Sequence, residues 1–104
     1  EDYTKALNRL KEALLEEPTD IVVDGTLQRY EFTFELAWKT IKDYLEYNGY
    51  SDNIASPRAI IQLAYQAKVI NNGDTWINMM LDRNVKNIYL NELNELKEFL
   101  ERNI

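Results

Sequence analysis

Arg83 and Asn84 are the residues of this sequence whose types and positions point most directly to chemistry. They follow Asp82 and interrupt an otherwise apolar helical face. An arginine there can hold a phosphate through two parallel hydrogen bonds, and an asparagine beside it can orient that phosphate. A helix-capping or intrahelical contact explains the same residues equally well on spacing alone. Arg29 and Lys39 are further basic candidates, and we predict that they take part in substrate binding together with Arg83.

The sequence lacks the residues that several common chemistries require. It contains no histidine and no cysteine, which removes the commonest general base, the commonest metal ligand and all thiol chemistry. Its three glycines form neither a phosphate-binding loop nor a dinucleotide-binding pattern. An all-oxygen metal site would rest on Glu31 and Glu35, but an ion pair between Glu35 and Lys39, four residues apart, is the better explanation. We therefore predict neither a metal nor a cofactor.

The composition is typical of a small globular protein. The chain has 104 residues, of which 45% are hydrophobic and 29% charged, and its formal net charge is −6. We therefore expect a single domain over residues 1–104 with a packed core. No run approaches the roughly 20 apolar residues that span a bilayer. The acidic balance argues against non-specific binding of nucleic acid over the whole surface, but it is compatible with a local basic site. We predict a soluble cytoplasmic protein.

Helical periodicity dominates the first half of the chain. A first helix is predicted from a stripe with steps of four, three and four residues: Tyr3, Leu7, Leu10 and Leu14. Asp24 and Gly25 predict a turn, with Asp24 as the N-cap of the next helix. That helix is predicted to be the longest, from Thr26 to about Asn48, with Gly49 as its C-terminal stop. Its apolar stripe comprises Leu27, Tyr30, Phe34, Ala37, Ile41 and Leu45.

The second half predicts further helices. Ser56 and Pro57 are typical of an N-cap followed by a first helical residue. We expect residues 71–73 to close that helix and Asp74 to cap the following one. Apolar positions predict the remaining faces: Ile60, Ile61, Ala64 and Ala67, then Trp76, Ile77, Met80 and Leu81, and finally Leu93, Leu96 and Leu100. The predicted fold is all-α, an antiparallel up-and-down bundle of four or five helices.

The long helix is unusually aromatic. Six aromatic residues fall within eighteen positions: Tyr30, Phe32, Phe34, Trp38, Tyr44 and Tyr47. Stacking on nucleobases is one interpretation. The helical spacing and the acidic background favour another, a role in the core and in a homodimer interface. Phe32, Leu36 and Trp38 support the second interpretation, because they widen the apolar arc beyond what one small bundle needs to cover.

One segment resembles a known family. The run from Asp24 to Thr40 reads DGTLQRYEFTFELAWKT and closely resembles the nucleotidyltransferase substrate-binding protein family, a branch of the HEPN superfamily. Residues 56–58, the Trp76 segment and residues 81–84 follow in the family's order. The resemblance implies a HEPN-like helical bundle, a homodimer, and a partner that is a minimal nucleotidyltransferase encoded nearby. It also implies that the helical subunit presents a substrate or nucleotide to that enzyme.

Related HEPN proteins suggest a second function for the same residues. Some are metal-independent ribonuclease toxins, neutralised by the nucleotidyltransferase as antitoxin, whose active site contains an arginine, a polar residue and then a histidine. Arg83 and Asn84 match the first two of these as a partial catalytic motif. No histidine follows, because Val85 leads directly towards the final helix. We therefore predict a non-catalytic binding subunit. The alternatives are a ribonuclease whose histidine lies in a segment missing between Asn84 and Val85, with RNA as substrate, and a helical interaction module without a ligand.

Overall fold

The computed structural model describes residues 2–15, 20–50, 56–82 and 85–103. These residues form five helices: α1 (Tyr3–Ala13), α2 (Asp20–Tyr47), α3 (Pro57–Gln66), α4 (Gly73–Leu81) and α5 (Asn87–Arg102). No strand occurs in these ranges, so the predicted all-α bundle is confirmed. In the same ranges no helix is long and apolar enough to cross a membrane.

Aromatic pairs fix the direction of the two longest helices. Tyr30 stacks on Tyr89, with ring centroids 6.2 Å apart, and Tyr44 meets Phe99 edge-on at 5.3 Å. From the first pair to the second, the residue number rises along both α2 and α5, so these two helices run in the same direction. α4 runs opposite to α2, because Tyr30 and Phe34 meet Met79 and Trp76 in reverse order. α1 packs against both α2 and α5.

α1 is joined to the bundle by buried polar contacts as well as by apolar packing. The Thr33 hydroxyl lies 3.2 Å from the Ala6 carbonyl oxygen and 2.6 Å from the Arg29 carbonyl oxygen. The Tyr3 hydroxyl donates to the carbonyl of Leu93, 2.5 Å away. These bonds satisfy polar groups that the surrounding core would otherwise leave without partners.

The predicted apolar stripes meet in one continuous core. It includes Tyr3, Leu7, Leu10, Tyr30, Phe34, Ala37, Ile41, Leu45, Ile60, Ile61, Ala64, Trp76, Met79, Leu93, Leu96 and Leu100. Two predicted members are exposed instead: Leu14 (38%) follows the last residue of α1, and Leu81 (66%) ends α4. Met79 takes the inward position on α4, because it lies three residues after the buried Trp76.

The start of the longest helix is the main correction to the predicted boundaries. α2 begins at Asp20, so the predicted turn at Asp24 and Gly25 is wrong and both residues lie inside the helix. A glycine within a helix costs about 1 kcal/mol relative to alanine. Packing along the remaining turns of a 28-residue helix offsets that local preference.

The predicted glycine stop is confirmed. Gly49 has a φ of 85° and its N–H donates to the Glu46 carbonyl over 3.1 Å. The N–H of Tyr50 donates to the Leu45 carbonyl over 3.0 Å. These two bonds form a Schellman motif, which needs a left-handed residue where glycine sits. The predicted start of α3 is also confirmed, since the Ser56 hydroxyl accepts the N–H of the third residue after it.

α3 ends earlier than predicted, and the reason is another Schellman motif. Lys68 takes the left-handed conformation with a φ of 64°, and the Val69 N–H donates to the Ala64 carbonyl over 2.9 Å. The predicted stop at residues 71–73 is therefore wrong. The predicted N-cap Asp74 is wrong too, because it lies in the first turn of α4. Helices that end in this motif usually have glycine at the left-handed position, so a lysine there gives no sequence signal for the helix end.

Candidate functional site

The structure describes both flanks of the predicted anion site. Arg83 and Asn84 themselves lie outside the described residues. Their role, and the predicted missing segment before Val85, therefore stay predictions. On one side α4 ends, with Asp82 as its C-cap. On the other side α5 begins, with Lys86 as its N-cap.

One carboxylate oxygen joins these flanks. Asp82 Oδ2 accepts the Tyr89 hydroxyl over 2.8 Å. The same oxygen lies 2.9 Å from Lys86 Nζ. The backbone N–H of Asp82 donates to the Asn78 carbonyl over 2.8 Å, which holds Asp82 against the end of α4. The first turns of α5 are thus tied to the last turn of α4 directly beside the predicted site. We call Asp82, Lys86 and Tyr89 the Asp82 corner.

Tyr30 supports the Asp82 corner from the core side. Its ring stacks on that of Tyr89 at an interplanar angle of 17°, and its hydroxyl donates to the Met79 carbonyl over 3.2 Å. Lys86 Nζ lies 5.7 Å from the centroid of the Tyr89 ring, within range of a cation–π interaction. Both the ring and the hydroxyl of Tyr89 are therefore held in place.

The protonation states of this group follow from its contacts. The hydrogen bond to Asp82 raises the pKa of Lys86 and also raises the pKa of Tyr89. Burial raises the pKa of Tyr30, and the nearby Tyr89 and Asp82 raise it further. At neutral pH Lys86 is a cation and both phenols are neutral hydrogen-bond donors. None of the three is suited to accept a proton from a substrate.

The other predicted substrate-binding residues lie on α2 and are not close together. Lys39 Nζ is 2.8 Å from Glu35 Oε1, which confirms the ion pair expected from their spacing. Arg29 is exposed and directly precedes Tyr30. Lys39 lies ten positions after Arg29 in the helix, about 15 Å along the axis. Of the two, only Arg29 lies in the part of α2 next to the Asp82 corner.

The described part of the chain contains no group of three or more acidic residues that could hold a metal ion. The aromatic residues of α2 divide by burial. Tyr30 and Phe34 are in the core, Trp38 and Tyr44 pack against it, and Phe32 is 43% exposed. The predicted core role is confirmed for the first two, and the predicted dimer interface stays a prediction.

Sequence inspection missed most of the Asp82 corner. The spacing of Asp82 and Lys86, four residues, is the usual spacing of a helical ion pair and was a usable signal. Tyr89 continues the stripe of Leu93 and Leu96 backwards by one turn, which indicated burial. The bond from Tyr89 to Asp82 depends on how α4 meets α5, so no local pattern could indicate it.

Comparison with known proteins identifies the family. A family model described as nucleotidyltransferase substrate binding protein like matches residues 1–94. Among solved structures, a crystal structure of a protein from Thermus thermophilus is similar, with 31% sequence identity and a TM-score of 0.74. The alignment covers 96% of this chain and 97% of that one. A search of curated proteins gave no match. Since the family model spans nearly the whole sequence, the chain belongs to the nucleotidyltransferase substrate binding protein like family.

Proposed function

We propose that this protein is a non-catalytic subunit that binds a substrate or nucleotide for a minimal nucleotidyltransferase encoded nearby. The family match supports the partnership. The observation that carries the non-catalytic role is the Asp82 corner. Lys86 and Tyr89, which follow Arg83 in the sequence, are protonated at neutral pH, and both already occupy the one carboxylate of the corner, Asp82. The sequence also has no histidine, so these residues favour binding of an anion over activation of a nucleophile.

In this proposal Arg83 contacts a phosphate of the ligand and Asn84 orients it, with Arg29 as a second cation. The Asp82 corner fixes the helices on either side of Arg83. A binding residue whose supports are locked loses less entropy when it captures a ligand. Lys39 contributes less, because Glu35 already neutralises it.

The alternative is a HEPN-type ribonuclease toxin that the nucleotidyltransferase neutralises. It requires a histidine in a segment between Asn84 and Val85. An RNA cleavage assay, with and without the nucleotidyltransferase, separates the two functions. Cleavage by the natural protein alone, suppressed when the nucleotidyltransferase is added, would contradict the binding-subunit proposal.

We also propose that the subunit acts as a homodimer in the cytoplasm. Phe32 supports this, because it lies on α2 with 43% of its surface exposed although the neighbouring Leu36 and Trp38 pack against the core. Replacing Phe32 with Asp should shift the mass in light scattering from dimer to monomer at micromolar concentration. Tyr47→Asp is the matched control, since Tyr47 is 90% exposed at the end of the same helix. A monomeric wild-type protein would contradict this part of the proposal.

The anion site itself can be tested by titrating inorganic phosphate while recording backbone amide NMR signals. We expect the amides of Asp82 and Val85 to shift in the wild-type protein and to stop responding in Arg83→Ala. Lys42→Ala is the control, because Lys42 forms a helical ion pair with Glu46 away from the site. An Arg83→Ala protein that still responds as wild type would refute the assignment of Arg83.

A further inference from the structure

The structure describes four large aliphatic side chains that are exposed, and all four lie at one end of the bundle. They are Leu14 (38% exposed), Leu15 (88%), Leu81 (66%) and Ile88 (51%). Leu14 and Leu15 follow the last residue of α1. Leu81 ends α4, and Ile88 lies in the first turn of α5. We call these four residues the aliphatic end.

Contacts between α1 and α5 bring the end of α1 towards the start of α5. Tyr3 and Leu100 line the same groove, so α1 begins beside the end of α5. Two turns later in α1, the Lys11 ammonium group donates to the side-chain oxygen of Asn94, which lies earlier in α5. The two helices therefore run in opposite directions, and Leu14, three residues after Lys11, points the chain towards the first turns of α5.

The aliphatic end adjoins the Asp82 corner. Leu81 directly precedes Asp82, and Ile88 directly precedes Tyr89. The hydrogen bond from the Tyr89 hydroxyl to Asp82 therefore holds the two segments that carry Leu81 and Ile88 side by side. Arg83, the residue to which we assign anion binding, directly follows Asp82 in the sequence. The aliphatic end is thus the surface next to the proposed ligand.

A cluster of this kind differs from ordinary surface exposure. Single exposed hydrophobic residues are common on soluble proteins, whereas contiguous apolar patches mark sites of contact with other proteins. Three of the exposed aromatic residues, Tyr47, Tyr50 and Tyr65, carry a hydroxyl group that water can solvate. The side chains of the aliphatic end have no polar atom, so a covering protein gains the full benefit of their removal from water.

The surface proposed for the homodimer is a different one. Phe32 lies two positions after Tyr30 in α2, which places it about 200° around the helix axis from Tyr30. Tyr30 is the residue that packs against the Asp82 corner. Phe32 therefore faces away from that corner, and a dimer formed through Phe32 leaves the aliphatic end uncovered.

We propose that the aliphatic end is the docking surface for the minimal nucleotidyltransferase. This inference rests on the function proposed above. A transferase that acts on a ligand held at Arg83 must bring its reacting atoms to within about 3.5 Å of that ligand. Its surface must therefore cover the residues next to Arg83, and the aliphatic end is what the structure exposes there. The matching surface of the transferase is apolar at its centre, because these side chains offer no hydrogen bond or charge.

The test is isothermal titration calorimetry of the full chain with the purified nucleotidyltransferase that we expect to be encoded nearby. Leu81→Asp and Ile88→Asp each bring a charge into the proposed contact, and each should weaken binding by about 10- to 100-fold. Tyr47→Asp is the matched control and should bind as wild type does. Tyr47 is 90% exposed and lies about 26 Å along α2 from Tyr30.

The outcomes separate this inference from the function on which it rests. If both aspartate variants bind as tightly as Tyr47→Asp does, the transferase docks elsewhere and only the docking surface is refuted. If the wild-type protein does not bind the transferase, the binding-subunit function is refuted as well. Light scattering of Leu81→Asp and Ile88→Asp alone should give the wild-type mass. A change from dimer to monomer would show that the aliphatic end joins two copies of this chain, which overturns the proposal.

Methyl NMR of the wild-type protein provides a test that needs no variant. On addition of the transferase, the methyl signals of Leu81 and Ile88 should shift, while those of the buried Leu7 and Ile41 should stay in place. Signals of Leu81 and Ile88 that do not respond would overturn the proposal even if the aspartate variants do not fold.

Discussion

Replacing Tyr89 with Phe isolates the bond that ties α5 to the end of α4. The substitution removes the hydroxyl that donates to Asp82 over 2.8 Å and keeps the ring that stacks on Tyr30. A hydrogen bond to a charged group contributes roughly 1.5–3 kcal/mol. The Asp82 side chain is 20% exposed and retains Lys86, so we expect the free energy of unfolding to fall by about 1–2 kcal/mol.

Urea denaturation measures this loss directly. With an m-value of about 1.5 kcal/mol/M, the midpoint should fall by about 1 M. Tyr44→Phe is the matched control. Tyr44 is also partly buried and packs edge-on against Phe99, but its hydroxyl has no hydrogen bond to any residue that the structure describes. That variant should stay within about 0.5 kcal/mol of wild type.

A double-mutant cycle identifies the partner of the hydroxyl. In an Asp82→Ala background, Tyr89→Phe should cost markedly less than it does in the wild-type protein, because the acceptor is already gone. The reasoning is refuted if Tyr89→Phe costs no more than Tyr44→Phe, or if its cost is the same in both backgrounds.

Four further substitutions test other parts of the structure. Lys68→Gly should raise the free energy of unfolding by about 0.5–1 kcal/mol, because glycine adopts the left-handed conformation without strain. Gly49→Ala should lower it by about 1 kcal/mol for the same reason. Thermal denaturation of both variants checks the two Schellman motifs. Thr33→Val should cost about 1 kcal/mol in the same assay, since it removes the buried hydroxyl that donates to the backbone carbonyls of Ala6 and Arg29. Because burial raises the pKa of Glu92 in the native state, stability should fall as the pH rises above about 4.5, and Glu92→Gln should lose less stability over that range in urea titrations at several pH values.

Sequence reasoning succeeded where the structure depends on local periodicity and caps. Four features could be predicted because each depends on residues within a turn or two. They are the apolar stripes of α1 and α5, the N-cap Ser56 and the helix stop at Gly49. It failed at Asp24 and Gly25, where a local turn preference is overridden by the packing of a long helix. It failed again at Lys68, because lysine carries no signal for a left-handed helix end.

The site residues also differ in whether the local sequence indicates them. Arg83 is conspicuous in the sequence because a basic residue interrupts an apolar face. The bond from Tyr89 to Asp82 and the burial of Glu92 depend on how α5 lies against α4. Glu92 precedes Leu93 in what reads as the polar side of an amphipathic helix, so nothing local distinguished it from an exposed glutamate.

The central claim is that this protein is the binding subunit of a nucleotidyltransferase pair. The most direct test is to co-express it with the minimal nucleotidyltransferase that the proposal expects to be encoded nearby, and to measure the mass of the purified species by light scattering. We expect a stable complex that contains both chains at micromolar concentration. Two proteins that elute separately, each with the mass of its own free form, would contradict the claim.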